Sequence, residues 1–263
     1  MITIQKYIRA KSLEEAYQLN QNKRNRVIGG MLWVKMGNGS VNTAIDLCDL
    51  GLDAIEENDE EFSIGASVTL RQLEMHEGLN AYACGAVRRA VKDIVGVQFR
   101  NMATVGGSLW GRFGFSDVLT VFLAMDSYVE LYKGGVMPLE QFAAMGYDRD
   151  ILVRLIVKKT PGCFAYQAMR IQRTDFPVIA CAVSELDGAY RAVIGARPGR
   201  AMVVCDEKGL LAGGVTEESA KAFAGFVADK TPTQSNARGS AAYRTQLIRV
   251  LAERAALELK EVQ

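Results

Sequence analysis

The chain has 263 residues, 49% of them hydrophobic and 23% charged, and a formal net charge of +1. That length allows one large domain or two to three smaller ones, and the composition is ordinary for a soluble folded protein. The near-neutral charge, with Lys and Arg scattered among acids, excludes an electrostatic drive toward nucleic acid or an acidic membrane.

No apolar run approaches the roughly 20 residues of a bilayer span. Residues 1–6 carry no signal-type apolar core, so a cytoplasmic location without membrane contact is expected. In chain order, residues 2–8 alternate loosely and predict a strand. Ser12-Leu13-Glu14-Glu15 is a capping-box pattern opening a helix through Leu19. Residues 26–28 read as a buried strand and 44–47 as another. The acidic run 56–61 reads as a solvated turn at a subdomain boundary. A strand over 62–66 follows, Thr69 caps a short helix with Leu70 and Leu73, and a longer helix is expected over 79–95. Ser116 caps a helix over 117–125, residues 128–132 form a strand, and Gly134-Gly135 turn it into the next one. Four strands, 151–157, 164–169, 178–183 and 190–194, are expected to share one sheet with antiparallel pairings. Helices at 217–227 and 240–261 end the chain, so the order of elements points to an α+β fold.

Cys48, Cys84, Cys163, Cys181 and Cys205 are odd in number, widely spaced and without a Cys-x-x-Cys pair. They are expected to be mostly buried thiols and to hold no metal or iron–sulfur cluster. His76, the single histidine, lies in a polar stretch between helices. A surface role is expected for it, which leaves no His-based triad or metal site.

Two segments stand out: Val27-Ile28-Gly29-Gly30 and Ala103-Thr104-Val105-Gly106-Gly107-Ser108. Glycine tolerates positive φ and lacks Cβ, so backbone N–H groups can converge on an anion there. Two such turns, the second followed by Ser116-Asp117 at a helix start, suggest a clamp on a dinucleotide diphosphate. The plainer alternative is a pair of tight turns between strand and helix.

Arg26 to Gly30, Ile45-Asp46-Leu47, Ile64 to Leu70, Asn101 to Ser108, Ser116-Asp117 and Arg238-Gly239-Ser240-Ala241-Ala242-Tyr243-Arg244, taken as an ordered set, resemble the flavin-binding subunit of the molybdenum hydroxylases, the xanthine dehydrogenase and carbon monoxide dehydrogenase medium-chain family. The resemblance spans nearly the whole chain. It implies a two-lobed FAD-binding domain of the PCMH type, lobes 1–58 and 59–158, followed by a smaller α+β C-terminal domain, 159–263, with an antiparallel sheet and helices. It implies electron transfer through FAD, from iron–sulfur clusters on a 2Fe-2S small subunit to NAD or another acceptor. A molybdopterin-binding large subunit would oxidise the substrate. A homo-oligomer of the complex, an FAD-free structural subunit and a stand-alone flavin oxidoreductase stay open.

The same resemblance implies the cofactor site. Gly29, Gly30, Gly106 and Gly107 would present N–H groups to the pyrophosphate, flanked by Val27, Ile28, Met31, Leu32 and Ala103. Thr104 and Ser108 would add hydroxyls, with Gly111 and Ser116 beside them. Asp117 would accept from ribose or ribityl hydroxyls. Phe99, Ile151 and Leu152 would wall the isoalloxazine, and Gln167 stands where the family can place a basic residue. Met31 after the first Gly-Gly and Ser108 in place of asparagine depart from the family pattern and are expected to weaken FAD binding. No residue is implied to be catalytic, since the chemistry belongs to the cofactor.

Overall fold

The computed structural model describes residues 1–262. Its elements are β1 Thr3–Arg9, α1 Leu13–Asn20, β2 Arg26–Ile28, β3 Ser40–Asp46, β4 Ile55–Glu57, β5 Glu61–Gly65, α2 Leu70–Met75, α3 Glu77–Tyr82, α4 Ala86–Val91, α5 Val97–Arg100, α6 Val105–Trp110 and α7 Asp117–Leu123. After them come β6 Ser127–Leu131, β7 Gly135–Pro138, α8 Leu139–Ala144, β8 Leu152–Lys158, β9 Gly162–Arg170, β10 Pro177–Leu186, β11 Ala189–Gly195, β12 Met202–Cys205, α9 Glu217–Lys230 and α10 Ala241–Val262. The class is α+β. Among the described residues no helix is long and apolar enough to cross a membrane.

The chain forms two compact units built from interleaved segments. The first comprises Met1–Gln72, Val97–Gly111 and Ser127–Val157. It holds a parallel three-stranded sheet, order β1-β3-β2, and a five-stranded sheet, order β4-β5-β8-β6-β7. A parallel pair needs a crossover, and α1 supplies it between β1 and β2. Ser12 caps that helix by accepting from the Glu15 N–H at 3.1 Å. The reciprocal arm of the capping box lands one residue early, with Glu15 accepting from the Lys11 N–H at 2.8 Å. Ala10, Ala16, Ile45, Leu47, Ile151 and Val153 form a buried core, against which Leu13, Tyr17 and Val27 pack. The acidic run forms the β4–β5 hairpin, where Asn58 Oδ1 accepts from the N–H groups of Glu60 and Glu61.

Glu14 ties α1 to the β6–β7 hairpin. Its carboxylate accepts from Gln18, from the Tyr132 hydroxyl and from Lys133 Nζ. These bonds, in that order of weight, lower its pKa from 4.5 to about 2. A carboxyl depressed on folding contributes stability that is complete above its unfolded value and is lost as pH falls through the folded one. The urea midpoint of the wild type is therefore expected to exceed that of Glu14→Gln above pH 4.5 and to converge on it by pH 2. A difference that stays constant over that window would contradict the assignment.

The second unit comprises Leu73–Gly96, Arg112–Asp126 and the chain from Lys158 onward. Its antiparallel sheet has the order β12-β11-β10-β9. Helices α9 and α10 cover one face, where Ile179, Cys181, Val183, Ala192 and Ile194 pack with Phe223, Val227, Ile248, Leu251 and Ala255. Helix α7 packs on β10 and β11, and α4 packs on β9. Residues 177–184 of β10 are consequently all buried. A strand covered on both faces reads as a continuous apolar run, without the alternation of a half-exposed one.

Three expectations need correction. Residues 151–157 do form a strand, but β8 pairs with β6 in the first unit. The fourth strand of the second sheet is β12 instead. Periodicity identifies a strand and is silent on its partner. The helix expected over 79–95 is two short ones, because Cys84 and Gly85 both take left-handed backbone (φ 51° and 74°) between α3 and α4. Of the five thiols only Cys181 is buried; Cys48 and Cys205 are exposed. Cys48 lies in the turn after β3 and Cys205 at the end of β12, where the core no longer covers the chain.

Candidate functional site

The two glycine turns meet inside the first unit. A Cβ placed on Gly30 would stand 1.7 Å from the Met102 carbonyl oxygen and 2.5 Å from its carbon. Only glycine lets these two stretches of backbone approach so closely. One on Gly29 would meet Thr104 Oγ1 at 2.7 Å, and one on Gly106 the Ala66 carbonyl oxygen at 2.7 Å. Three of the four expected glycines are thus packing contacts between the β2 turn, the segment 102–106 and the end of β5.

Hydrogen bonding separates the turns. Thr104 caps α6, with extended backbone (φ −107°, ψ 154°), and its Oγ1 accepts from the Gly107 N–H at 3.1 Å. The Val105 and Gly106 N–H groups go to the carbonyls of Val68 and Ala66, both at 2.8 Å, and the Ser108 N–H goes to Thr104 O. Ser108 Oγ also donates to Thr104 O, at 2.9 Å. The second turn therefore spends its donors on its own helix and on the segment 66–68. The first turn does not. Among the described residues no acceptor receives the N–H of Gly29, Gly30 or Met31. Met31 is held at φ 58°, a left-handed conformation that costs a non-glycine residue about 1–2 kcal/mol. Left-handed residues in a tight turn characterise the backbone concavities that bind anions.

The remaining first-unit residues occupy supporting positions. Val27 packs against the core and Ile28 is buried at the end of β2. Leu32 and Ala103 are half-buried. The Phe99 carbonyl accepts from the N–H groups of Met102 and Ala103, holding the second turn in place. Gly111 follows α6, and its carbonyl accepts from the Tyr147 hydroxyl at 2.6 Å. Ile151 and Leu152 are buried, Ile151 in the core with Ala10 and Ile45.

Ser116, Asp117 and Gln167 belong to the second unit. Ser116 caps α7, accepting from the Leu119 N–H at 3.1 Å. Asp117 is 5% exposed. Its Oδ1 accepts from the Tyr166 hydroxyl and from Arg170 Nη2, the latter at 2.7 Å. Burial pushes the Asp117 carboxyl up from the usual range, while Arg170 and Tyr166 pull it down. Burial and the adjacent carboxylate push the Tyr166 phenol well up. Gln167 Nε2 donates to Glu258, which also takes Arg89 Nη1 at 2.7 Å. Sequence reading missed Met102 and Ala66, whose carbonyls dictate the glycines, and the Asp117 partners Tyr166 and Arg170. Only the β9 alternation that sets Tyr166 two residues from Ala168 on one face hinted at the last of these.

A glycine turn packed against the segment 102–106, with unclaimed N–H groups at Gly29, Gly30 and Met31, fits the pyrophosphate of a dinucleotide. Comparisons with known proteins give the family. Residues 2–159 match the sequence model of the FAD binding domain in molybdopterin dehydrogenase. The uncharacterized protein YgfM of Escherichia coli K12 is 26% identical over 254 residues, covering 94% of this chain and 93% of that one. Two solved structures share the fold. Quinoline 2-oxidoreductase from Pseudomonas putida 86 superposes with a TM-score of 0.84 at 18% identity, over 97% of this chain and 96% of that one. Carbon monoxide dehydrogenase from Hydrogenophaga pseudoflava, in a form lacking the Mo-pyranopterin moiety of the molybdenum cofactor, does so with 0.85 at 20% identity, over 98% and 97%. The chain belongs to the family of FAD-binding domains in molybdopterin dehydrogenases, and its cofactor is FAD.

Proposed function

We propose that this chain is the electron-transfer subunit of a cytoplasmic molybdenum hydroxylase of the xanthine dehydrogenase type. Electrons would arrive from 2Fe-2S clusters on a small partner subunit and leave to NAD, while a molybdopterin-binding large subunit oxidises the substrate. Bound FAD would supply hydride exchange with a nicotinamide and single-electron exchange with a cluster. The observation that carries the reading is the first turn, where the N–H groups of Gly29, Gly30 and Met31 have no acceptor among the described residues while Gly30 is locked against Met102. We assign pyrophosphate binding to those three donors. Gly106 and Gly107 would serve by close approach, since their own donors are spent, and Thr104 and Ser108 would order the second turn. Phe99, Leu32 and Leu152 would line the ring. Ser116, Asp117 and Gln167 are assigned to the cofactor on the strength of the family resemblance, Asp117 through Oδ2.

The test is the visible spectrum of the purified chain after incubation with FAD and gel filtration. Flavin that stays with the protein and is bleached by NADH is the expected result. Retained flavin that NADH leaves oxidised would remove NAD as the acceptor. A colourless protein would replace the reading by a structural subunit that keeps the fold without the cofactor.

A further inference from the structure

Asp117, Tyr166 and Arg170 form a closed group within the second unit. Tyr166 and Arg170 stand four residues apart on β9, which turns both side chains to one face of the strand. The Tyr166 hydroxyl and Arg170 Nη2, the latter at 2.7 Å, both donate to Oδ1 of Asp117. Arg170 is anchored in turn. Its Nη1 donates to the Asp175 carbonyl at 2.7 Å, and both Asp175 carboxylate oxygens accept from Arg238 Nη1 at 2.8 Å. The ion pair is nearly enclosed, with 9% of the Arg170 side chain and 6% of the Asp117 side chain exposed, so water cannot replace either donor. Among the described residues no side chain donates to Oδ2.

We propose that Tyr166 and Arg170 are positioning residues for the cofactor, holding Asp117 as an ionised acceptor of fixed orientation whose Oδ2 takes a ribose or ribityl hydroxyl of FAD. The inference rests on the reading that this chain binds FAD through Asp117. An ionised carboxylate only accepts hydrogen bonds, so it selects a hydroxyl donor and repels a phosphate oxygen. In an enclosed site a carboxyl without a cation takes up a proton, and the neutral acid would present an O–H to the ligand. The Arg170 guanidinium opposes that protonation. Two donors on Oδ1 also stop the carboxylate from turning about its Cβ–Cγ bond, so no rotamer freedom is lost when a hydroxyl arrives at Oδ2. Tyr166 and Arg170 act through Asp117 and touch no cofactor atom themselves.

The experiment titrates FAD into the full chain, reads the Kd from flavin fluorescence, and measures the urea midpoint of each variant without FAD. Asp117→Asn should raise the Kd about 10–100-fold, the loss of one hydrogen bond to a charged acceptor. Tyr166→Phe should raise it about 3–10-fold. Arg170→Met should approach Asp117→Asn, and Arg170→Lys, which keeps the charge without the fork, should fall between Arg170→Met and the wild type. Combined with Asp117→Asn, neither Tyr166→Phe nor Arg170→Met should change the Kd by more than about 2-fold further. Undiminished effects in the Asp117→Asn background would overturn the proposal, because the two residues would then act by a route that bypasses Asp117. So would wild-type affinity in Tyr166→Phe and Arg170→Met with only the urea midpoint lowered, the mark of a purely structural group. Absence of FAD binding by the wild type is a different result, which removes the cofactor reading and this inference together. Should Arg170→Met fail to fold, Tyr166→Phe, which deletes a single oxygen, carries the same cycle.

Discussion

Replacing Gly30 by alanine is expected to abolish FAD retention and to lower the stability of the first unit by about 3 kcal/mol or more, at or above the upper end for overpacking. The new Cβ would lie 1.7 Å from the Met102 carbonyl oxygen and 3.3 Å from the Ala103 nitrogen. All of its close neighbours are backbone, so no rotamer change relieves the overlap and the two turns must separate. The Gly30 and Met31 N–H groups then point away from their anion. Hydrogen bonds to a charged group contribute about 1.5–3 kcal/mol each, so losing two weakens binding by at least about 100-fold. The neighbouring glycines calibrate the effect. In Gly29→Ala the obstacle is Thr104 Oγ1 at 2.7 Å, the tip of a side chain that can rotate. That costs the α6 cap, about 1 kcal/mol. In Gly107→Ala the nearest atom is the same oxygen at 3.1 Å, and the gain in helix propensity, up to about 1 kcal/mol, offsets the crowding. The urea midpoint should therefore rank Gly107→Ala near wild type, Gly29→Ala lower and Gly30→Ala lowest, and flavin content after gel filtration should fall furthest in Gly30→Ala. A Gly30→Ala protein with wild-type flavin content and midpoint would show that the cradle has no part in holding the cofactor.

That ranking also separates what the sequence disclosed about the site from what it withheld. The chain has four Gly-Gly pairs, and the two at Gly29-Gly30 and Gly106-Gly107 read alike. The structure gives them different work, because the donors of the second are already taken by Ala66 and Thr104. Which donors are spent depends on what the end of β5 brings beside α6, and no local pattern encodes that. Elements with a chemical signature were legible: Ser12, Thr69 and Ser116 cap helices as their side-chain oxygens suggest. Partners distant in sequence were not. Residues 151–157 form a strand as their β-branched content requires, yet alternation could not show that it pairs with β6. Asp117 was singled out by its position, while Tyr166 and Arg170, about fifty residues later, became its neighbours only through the packing of α7 on β10 and β11. The run Arg238 to Arg244 carries the family resemblance, and nothing in its composition announces that one of its two terminal arginines is fully enclosed.

Arg244 is that residue, 1% exposed in the second unit. Its substitution by methionine is expected to destabilise that unit by several kcal/mol, because buried acceptors left without a donor cost about 1–3 kcal/mol each. The guanidinium donates through Nε to Val178 O at 3.0 Å, through Nη1 to Gln234 O and Gly239 O, and through Nη2 to Asn236 Oδ1 at 2.7 Å. Every acceptor is neutral. The cation is therefore stabilised by dipoles from three loop residues and one β10 residue, and burial lowers its pKa. Methionine would fill much of the volume but leave four acceptors without a donor inside the protein, each costing about 1–3 kcal/mol. The desolvation that the guanidinium no longer suffers recovers part of that sum. Lysine would keep the charge, but its compact ammonium cannot span the planar fork, so Arg244→Lys should lose nearly as much as Arg244→Met. Arg238 supplies the contrast from the same segment. Its ion pair with Asp175, at 2.8 Å, is about a third exposed on each side, and such pairs contribute roughly 0–1 kcal/mol. Urea unfolding of the full chain should thus show a shift for Arg238→Ala of under about 1 kcal/mol beside a several-fold larger one for either Arg244 variant. If Arg244→Lys unfolds with the wild type, the single charge suffices and the forked geometry is not what holds the loop between α9 and α10.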